Sequence, residues 1–312
     1  MKEDIPTTQR AWKQFSRGKP KDVLRLVADA PVPIPAPGEV LVKVHSVALN
    51  PLGYKLMGSV PWPIARYPIV AENDFAGTIV DANGHTDWHV GQAAGLPIAG
   101  MTAYEGIVKR AKVHAGQRVF INGGSNAVGS IAIQIAKQRG ATVVTCCSAA
   151  KLEFVLGLGA DVVLDYTIDP LVSQLAKLDP FDVVMDCIGT ISLYRGSTQF
   201  LKPKCPYIAV GIDMNGLSTW QTVKTVLQLA RAVTPSYLGS VPRKFEIFYM
   251  VWDEKALKEL ADMVNRDEIH VPIDGEYGWE KGDVMKAYDR QMSARARGKI
   301  IIQMQQRGLK HA

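Results

Sequence analysis

A turn of small residues between a strand and a helix is the first feature of the chain that could do chemistry. Apolar Val119–Ile121 runs into Asn122-Gly-Gly-Ser-Asn-Ala-Val-Gly129, and a helix is predicted over Ala127–Arg139. Its Val128, Ile131, Ala132, Ile135 and Ala136 recur so as to bury one face, and Gly140 stands where a left-handed cap would end it. Backbone N–H groups at such a helix N-terminus point outward and the helix dipole adds positive potential, which favours a pyrophosphate. The candidate cofactor contacts are Gly123, Gly124, Ser125, Asn126, Ala127, Val128 and Gly129. Gly123 and Gly129 hold the outer places of a G-x-x-G-x-x-G spacing, while Asn126 brings a side chain to the middle place, where close backbone approach is wanted. A tight turn with no ligand is the plainer alternative.

The end of the next strand, Val143–Cys146, separates the two nicotinamide cofactors. An NAD site would place Asp or Glu about 20 residues beyond the glycines, to hold the ribose 2′-hydroxyl. Here the chain reads Cys146-Cys147-Ser148-Ala149-Ala150-Lys151, with no acid before Glu153. Ser148 can donate to a 2′-phosphate and Lys151 can supply the charge it needs, so NADPH is the predicted cofactor. The alternative has Ser148 capping a helix over Ala149–Leu158, with Lys151 a solvated residue of its first turn.

The elements around these residues imply the fold class. Strands Val119–Ile121, Val143–Cys146, Val162–Leu164, Val183–Met185 and Ile208–Val210 alternate with helical stretches, the mark of an α/β, doubly wound parallel sheet of Rossmann type. The first hundred residues read as β-rich, with short runs at Val40–Val44, Ala48–Leu49 and Phe75–Val80 and an extended Pro31–Glu39 connector. Strand Phe245–Val251, helix Glu254–Asn265, strand Val271–Asp274, a helix near Gly282–Ala294 and strand Lys299–Gln303 complete the chain. The stretch Gly216–Pro235 carries apolar residues near helical spacing and reads as a helix packed on the core or on a subunit partner.

Composition narrows the class further. The 312 residues are 47% apolar and 21% charged. The net charge of +6 is dispersed along the chain, a poor fit to nucleic acid. No apolar run is long enough to span a membrane. Cys146, Cys147, Cys187 and Cys205 lack C-x-x-C spacing, so neither a disulfide framework nor a cysteine-rich zinc site is read from them. The segment MKEDIPTTQRAWKQ lacks an apolar h-region, and the expected compartment is cytoplasmic. His85 and His89 lie four apart between Gly84 and Gly91, in what reads as a loop.

NDFAGTIV at Asn73–Val80, AAGLPIAGMTAYEG at Ala93–Gly106, the turn and helix at Val119–Lys137, LGADVVLDY at Leu158–Tyr166, DVVMDCIGT at Asp182–Thr190 and RARGKIII at Arg295–Ile302 follow one another in a specific order. With Pro35–Gly58, these motifs resemble the medium-chain dehydrogenase/reductase superfamily, in its zinc-free quinone oxidoreductase and enoyl reductase branch. The resemblance implies a β-rich, GroES-like catalytic domain over 1–102 and 267–312 and a Rossmann domain over 103–266, with substrate and nicotinamide meeting between them. It implies catalytic roles for Asn50, Tyr54 and Lys55: Asn50 binding a substrate oxygen or the cofactor ribose, and Tyr54 or Lys55 giving a proton or polarising a carbonyl. It further implies that Thr102, Ile188 and Gly189 lie beside the nicotinamide.

Zinc-dependent relatives place Cys near Val47–Asn50 and a Gly-His-Glu triplet where this chain has Glu72-Asn73-Asp74, so no metal is expected. One departure is large. Relatives place several barrel strands between elements that are fused here at Gln92–Ala93, which predicts a truncated catalytic domain whose open edges, near Phe75–Val80, need covering by a loop, a ligand or a second copy in a homodimer. The function expected is NADPH-dependent hydride transfer to the activated double bond of a small quinone, enone or enoyl molecule. The competing function is a redox-inactive relative acting as a binding module or in a non-redox step.

Overall fold

The computed structural model describes residues 5–36, 40–59, 66–81, 90–211, 227, 230, 232, 234 and 241–304. His85, His89 and nearly all of Gly216–Pro235 fall outside the described residues. Thirteen strands are described: β1 Thr8–Gln14, β2 Leu24–Pro31, β3 Leu41–Leu49, β4 Ile69–Val70, β5 Asp74–Asp81, β6 Arg118–Asn122, β7 Thr142–Cys147, β8 Val162–Asp165, β9 Val183–Asp186, β10 Pro206–Val210, β11 Lys244–Phe248, β12 Ile273–Gly278 and β13 Lys299–Gln303. Two compact units result, one of Met1–Pro97 with Pro272–Ala312, the other of Ile98–Val271.

The Ile98–Val271 unit is built on a six-stranded sheet in the order β11-β10-β9-β6-β7-β8. Every pairing in it is parallel. β6, β7 and β9 are almost wholly buried, which is why they read as continuous apolar runs. Helix Ala127–Gln138 buries Ile131, Ala132, Ile135 and Ala136 as its spacing predicts, and Gly140 follows at φ +76°. Another cluster joins Phe120, Phe181, Phe200, Tyr194 and Tyr207, with the Phe120 and Phe181 rings 5.7 Å apart. The strand order reverses between β6 and β9, the point at which open parallel sheets bind ligands at their carboxyl ends.

The other unit holds an antiparallel sheet, β2-β1-β4, and a sheet β12-β13-β3-β5. β3 is one strand where the sequence suggests two short runs, because its register against β5 shifts between Val44 and Ser46 and breaks the alternation. The hairpin β1–β2 is concealed in the sequence by Arg10, Lys13, Arg25 and Asp29, which interrupt any simple period. β12 runs from Ile273 to Gly278, later than expected, since parallel pairing with β13 forms a strand through Gly275 and Gly278. β11 stops at Phe248, and the helix expected over Ala149–Leu158 divides into a 3₁₀ turn, Ala149–Lys151, and helix Leu152–Gly157. At the fused junction the chain forms a short helix, Val90–Gly95, whose buried Ala94 packs on Ala48 and Ile301. β5 closes the described sheet order at one end.

Helix Ala127–Gln138 is held to the end of its unit by one buried side chain. Gln134 donates through Nε2 to the His270 carbonyl at 2.9 Å and accepts from the His270 N–H at 2.9 Å. Gln134→Ala leaves both backbone groups without these partners and should lower unfolding free energy by about 1–3 kcal/mol. A denaturant midpoint that moves at constant slope measures it; an unchanged midpoint would show that the pairing contributes nothing.

Candidate functional site

Three glycines make the turn after β6. Gly123 has φ +83°, a conformation that side chains oppose. A Cβ on Gly124 would lie 2.1 Å from Thr145 Oγ1, and one on Gly129 would lie 2.3 Å from the Gly123 carbonyl oxygen. Asn126 does not obstruct the turn, contrary to the sequence expectation: it is the N-cap, with its side chain accepting the Gly129 N–H at 2.8 Å. Ser125 is buried, while Ala127 and Val128 open the helix with amides that have no carbonyl four residues back inside it. The cradle is therefore a set of N–H donors, close-walled by glycine, at the N-terminus of a twelve-residue helix.

Asp186, at the end of β9, builds the adjoining loop. Its fully buried carboxylate accepts from Asn122 Nδ2 at 2.7 Å, Ile188 N at 3.0 Å, Gly189 N at 2.9 Å, Thr190 N at 2.8 Å and the Tyr207 hydroxyl at 2.6 Å. Burial, with Asp186 adjacent, drives the Tyr207 phenol well above its ordinary pKa and keeps it a donor. Gly189 takes φ +83°, and the Ile188 side chain, 41% exposed, lies over Gly123. Burial also pushes the Cys146 thiol up to about 12 and the Cys187 thiol well above its usual range, so neither is a thiolate.

Ser148 stands at the cap position of the 3₁₀ turn without a side-chain cap bond, and Asp165 Oδ2 accepts the Ala149 N–H instead, at 3.1 Å. Asp165 also accepts from the Thr167 hydroxyl and amide, which hold its carboxyl below the usual range. Its place beside Cys147 comes from the β7–β8 register and has no local signal. Lys151 ends the same turn, half-buried. Thr102 is buried in helix Pro97–Tyr104, its hydroxyl donating to the Ile98 carbonyl at 2.6 Å.

In the other unit, Asn50 precedes helix Pro51–Ser59 and its side chain points inward. Its Oδ1 accepts from Lys299 Nζ at 2.8 Å, and its Nδ2 donates to Asp74 Oδ2 at 3.0 Å. Lys299 also pairs with Asp74 at 3.1 Å, both side chains being about 1% exposed or less. Asn50 is 5% exposed, and these bonds tie the start of the helix to β5 and β13. Tyr54 packs its ring on a core of Leu24, Leu49, Met57 and Ile300, and Lys55 is half-buried one residue on. Glu72 completes the cluster: its carboxylate accepts the Asn50 N–H at 3.2 Å and the Tyr288 hydroxyl at 3.1 Å. Burial pushes the Glu72 carboxyl up to about 7 from 4.5, against the lowering effect of those two bonds. Asp74 and Lys299 lie in the quoted motifs Asn73–Val80 and Arg295–Ile302, and Glu72 in the triplet compared with the zinc relatives, but no reading of the sequence assigns them, or Tyr288, a role together.

Glu72 also lines a cavity of about 870 Å³ inside this unit, walled by Trp12, Val44, Val47, Ile302 and Trp279 among others. The space is partly open to solvent.

Comparison with known proteins accords with both units. Residues 36–149 match the family described as the alcohol dehydrogenase GroES-like domain, and residues 158–302 match the zinc-binding dehydrogenase family. A zinc-type alcohol dehydrogenase-like protein of Schizosaccharomyces pombe is 32% identical over 342 aligned positions, covering 95% of this chain and 96% of its own. A trans-enoyl reductase of Aspergillus terreus is 31% identical, covering 97% of this chain and 98% of its own. The chain belongs to the medium-chain dehydrogenase/reductase superfamily. The quinone oxidoreductase of Coxiella burnetii shares the fold, with a TM-score of 0.77 at 22% identity over 95% of this chain and 99% of that one. This superfamily member is an oxidoreductase of a nicotinamide-dependent family.

Zinc, named in one of those family descriptions, finds a poor donor set in this member of the superfamily. Val47–Asn50 and Glu72-Asn73-Asp74 contain no thiol and no imidazole, and the Lys299 ammonium already lies between Asn50 and Asp74. Among the described residues, no three His, Cys, Asp or Glu side chains group as a metal set.

The raised Glu72 carboxyl links stability to pH. Its folded pKa of about 7 exceeds the ordinary 4.5, so the folded state binds the proton more tightly. That contribution is full below about pH 4.5 and is lost as pH rises through about 7. Glu72→Gln should remove this fall: the difference in thermal midpoint between wild type and variant changes by several degrees from pH 5 to 8, whereas parallel curves would place the carboxyl at an ordinary pKa.

Proposed function

We propose that the chain is an NADPH-dependent, zinc-independent reductase of the activated double bond of a small quinone, enone or enoyl substrate. The observation that carries this reading is the glycine-walled cradle at Gly123–Gly129, followed after β7 by Ser148 and Lys151 where an NAD site would carry an acid. Asp165 is committed to Ala149 and Thr167, which suits a 2′-phosphate better than a free acid there would. The 31% identical trans-enoyl reductase supports the choice of substrate class.

Bound NADPH supplies the hydride. The amides of Gly124, Ser125, Ala127 and Val128 would hold the pyrophosphate, the Asn126 N–H being bonded to the Gly123 carbonyl; Ser148 would donate to the 2′-phosphate and Lys151 would neutralise it. Thr102, Ile188 and Gly189 would flank the nicotinamide. When the electron-poor carbon has accepted the hydride, charge gathers on the conjugated oxygen and a proton must follow. Tyr54 or Lys55 delivers it from helix Pro51–Ser59, whose start is fixed by Asn50.

Lys151→Ala should weaken NADPH by about 10- to 150-fold, the loss of one charge-assisted contact, and leave NADH nearly unchanged in a fluorescence titration. Equal weakening of both cofactors would refute the assignment. Tyr54→Phe should slow NADPH oxidation by a factor of about 10²–10⁴ while cofactor affinity holds; normal turnover would transfer the proton role to Lys55 or water.

A further inference from the structure

The lining of the apolar cavity in the unit of β1–β5, β12 and β13 includes none of the residues assigned to the hydride chemistry. Its wall is continuous because the bulge in β3 shifts the inward face from Val42 and Val44 to Val47 and Leu49. At 870 Å³ it falls within the range of small-molecule sites, which are apolar with a few convergent polar groups. Glu72 is such a group, and it is held in an unfavourable conformation, φ +67°, which a side chain of this kind adopts only where its surroundings enforce it. The carboxylate accepts from Asn50 N and the Tyr288 hydroxyl. With about four lone-pair positions it has capacity for a further donor.

We propose that this cavity binds an apolar small molecule through a single hydrogen-bond-donating end, a hydroxyl or an ammonium, received by Glu72. The walls accept the apolar body of the ligand and the carboxylate selects its end. At Glu72 a ligand ending in a carboxylate would set like charges together and is disfavoured, although Arg10, paired with Glu280, and Lys43 also line the cavity. The site shares no residue with the cofactor cradle and does not rest on the reductase reading.

Three probes of equal length, 1-octanol, octylamine and octanoate, test this on the full chain at pH 8. Calorimetry measures affinity, and emission from Trp12 and Trp279, which line the cavity, reports the place. Octanol or octylamine should bind at least tenfold more tightly than octanoate, and the tighter of the two identifies the end group. Glu72→Gln should cost octylamine at least tenfold and reduce discrimination against octanoate. Val47→Phe, which places a ring in the cavity, should weaken every probe while NADPH affinity stays unchanged; this variant carries the test if Glu72→Gln fails to fold. Absence of binding by all probes, or equal affinities that neither variant alters, would overturn the proposal.

Discussion

A lysine ammonium buried to about 1% exposure has to be paired, and the register of one sheet arranges the pairing. β13 runs antiparallel to β3 with Gln303 opposite Ser46 and Ile300 opposite Leu49, so Lys299 falls opposite Asn50. β3 in turn sets Ala48 opposite Asp74 on β5. Three residues distant in the chain thus meet with no loop to guide them, and the charge is neutralised where the strands end. The cost of desolvating each ion, several kcal/mol, makes any slip of register prohibitive. The start of helix Pro51–Ser59, and with it Tyr54 and Lys55, is fixed by the same pair through Asn50.

Asp186 solves the corresponding problem in the six-stranded sheet by other means. Its charge meets five donors, three of them consecutive backbone amides from Ile188 to Thr190. Hydrogen bonds to a charged group contribute about 1.5–3 kcal/mol each, enough in sum to offset burial. The difference has a functional consequence. An ion pair fixes two side chains, whereas a cage of amides fixes a loop, and this loop carries the Ile188 side chain over the Gly123 turn.

What the sequence discloses is what local periodicity encodes. Helix Glu254–Asn265 and strand Lys299–Gln303 appear with the boundaries read from the pattern, and the six strands of the parallel sheet differ from the reading chiefly at their ends. The cradle is equally legible, because a strand, a glycine turn and a helix are consecutive in the chain. Glu72, Asp74 and Lys299 were not legible as a site, since register alone unites them and each taken singly reads as a surface charge. Asn126 shows a subtler limit. Its type was plain, but whether its side chain stands in the turn or folds back onto Gly129 N depends on where the helix begins, and boundaries are the part of a helix that periodicity fixes least.

The extra residue in β3 connects the remaining features. Without it, alternation would turn Ser46 and Ala48 toward the cavity and Val47 and Leu49 away from it. With it, Val47 and Leu49 join Ile300 and Ile302 of β13 on one face, and Ala48 moves to the other with Ile301. A small residue at 48 lets Ala94 approach closely, so the short helix Val90–Gly95 can lie on the sheet at the fused junction. A single insertion therefore gives the sheet two apolar faces, one covered by a short helix and one left to wall a cavity that has a carboxyl at its edge.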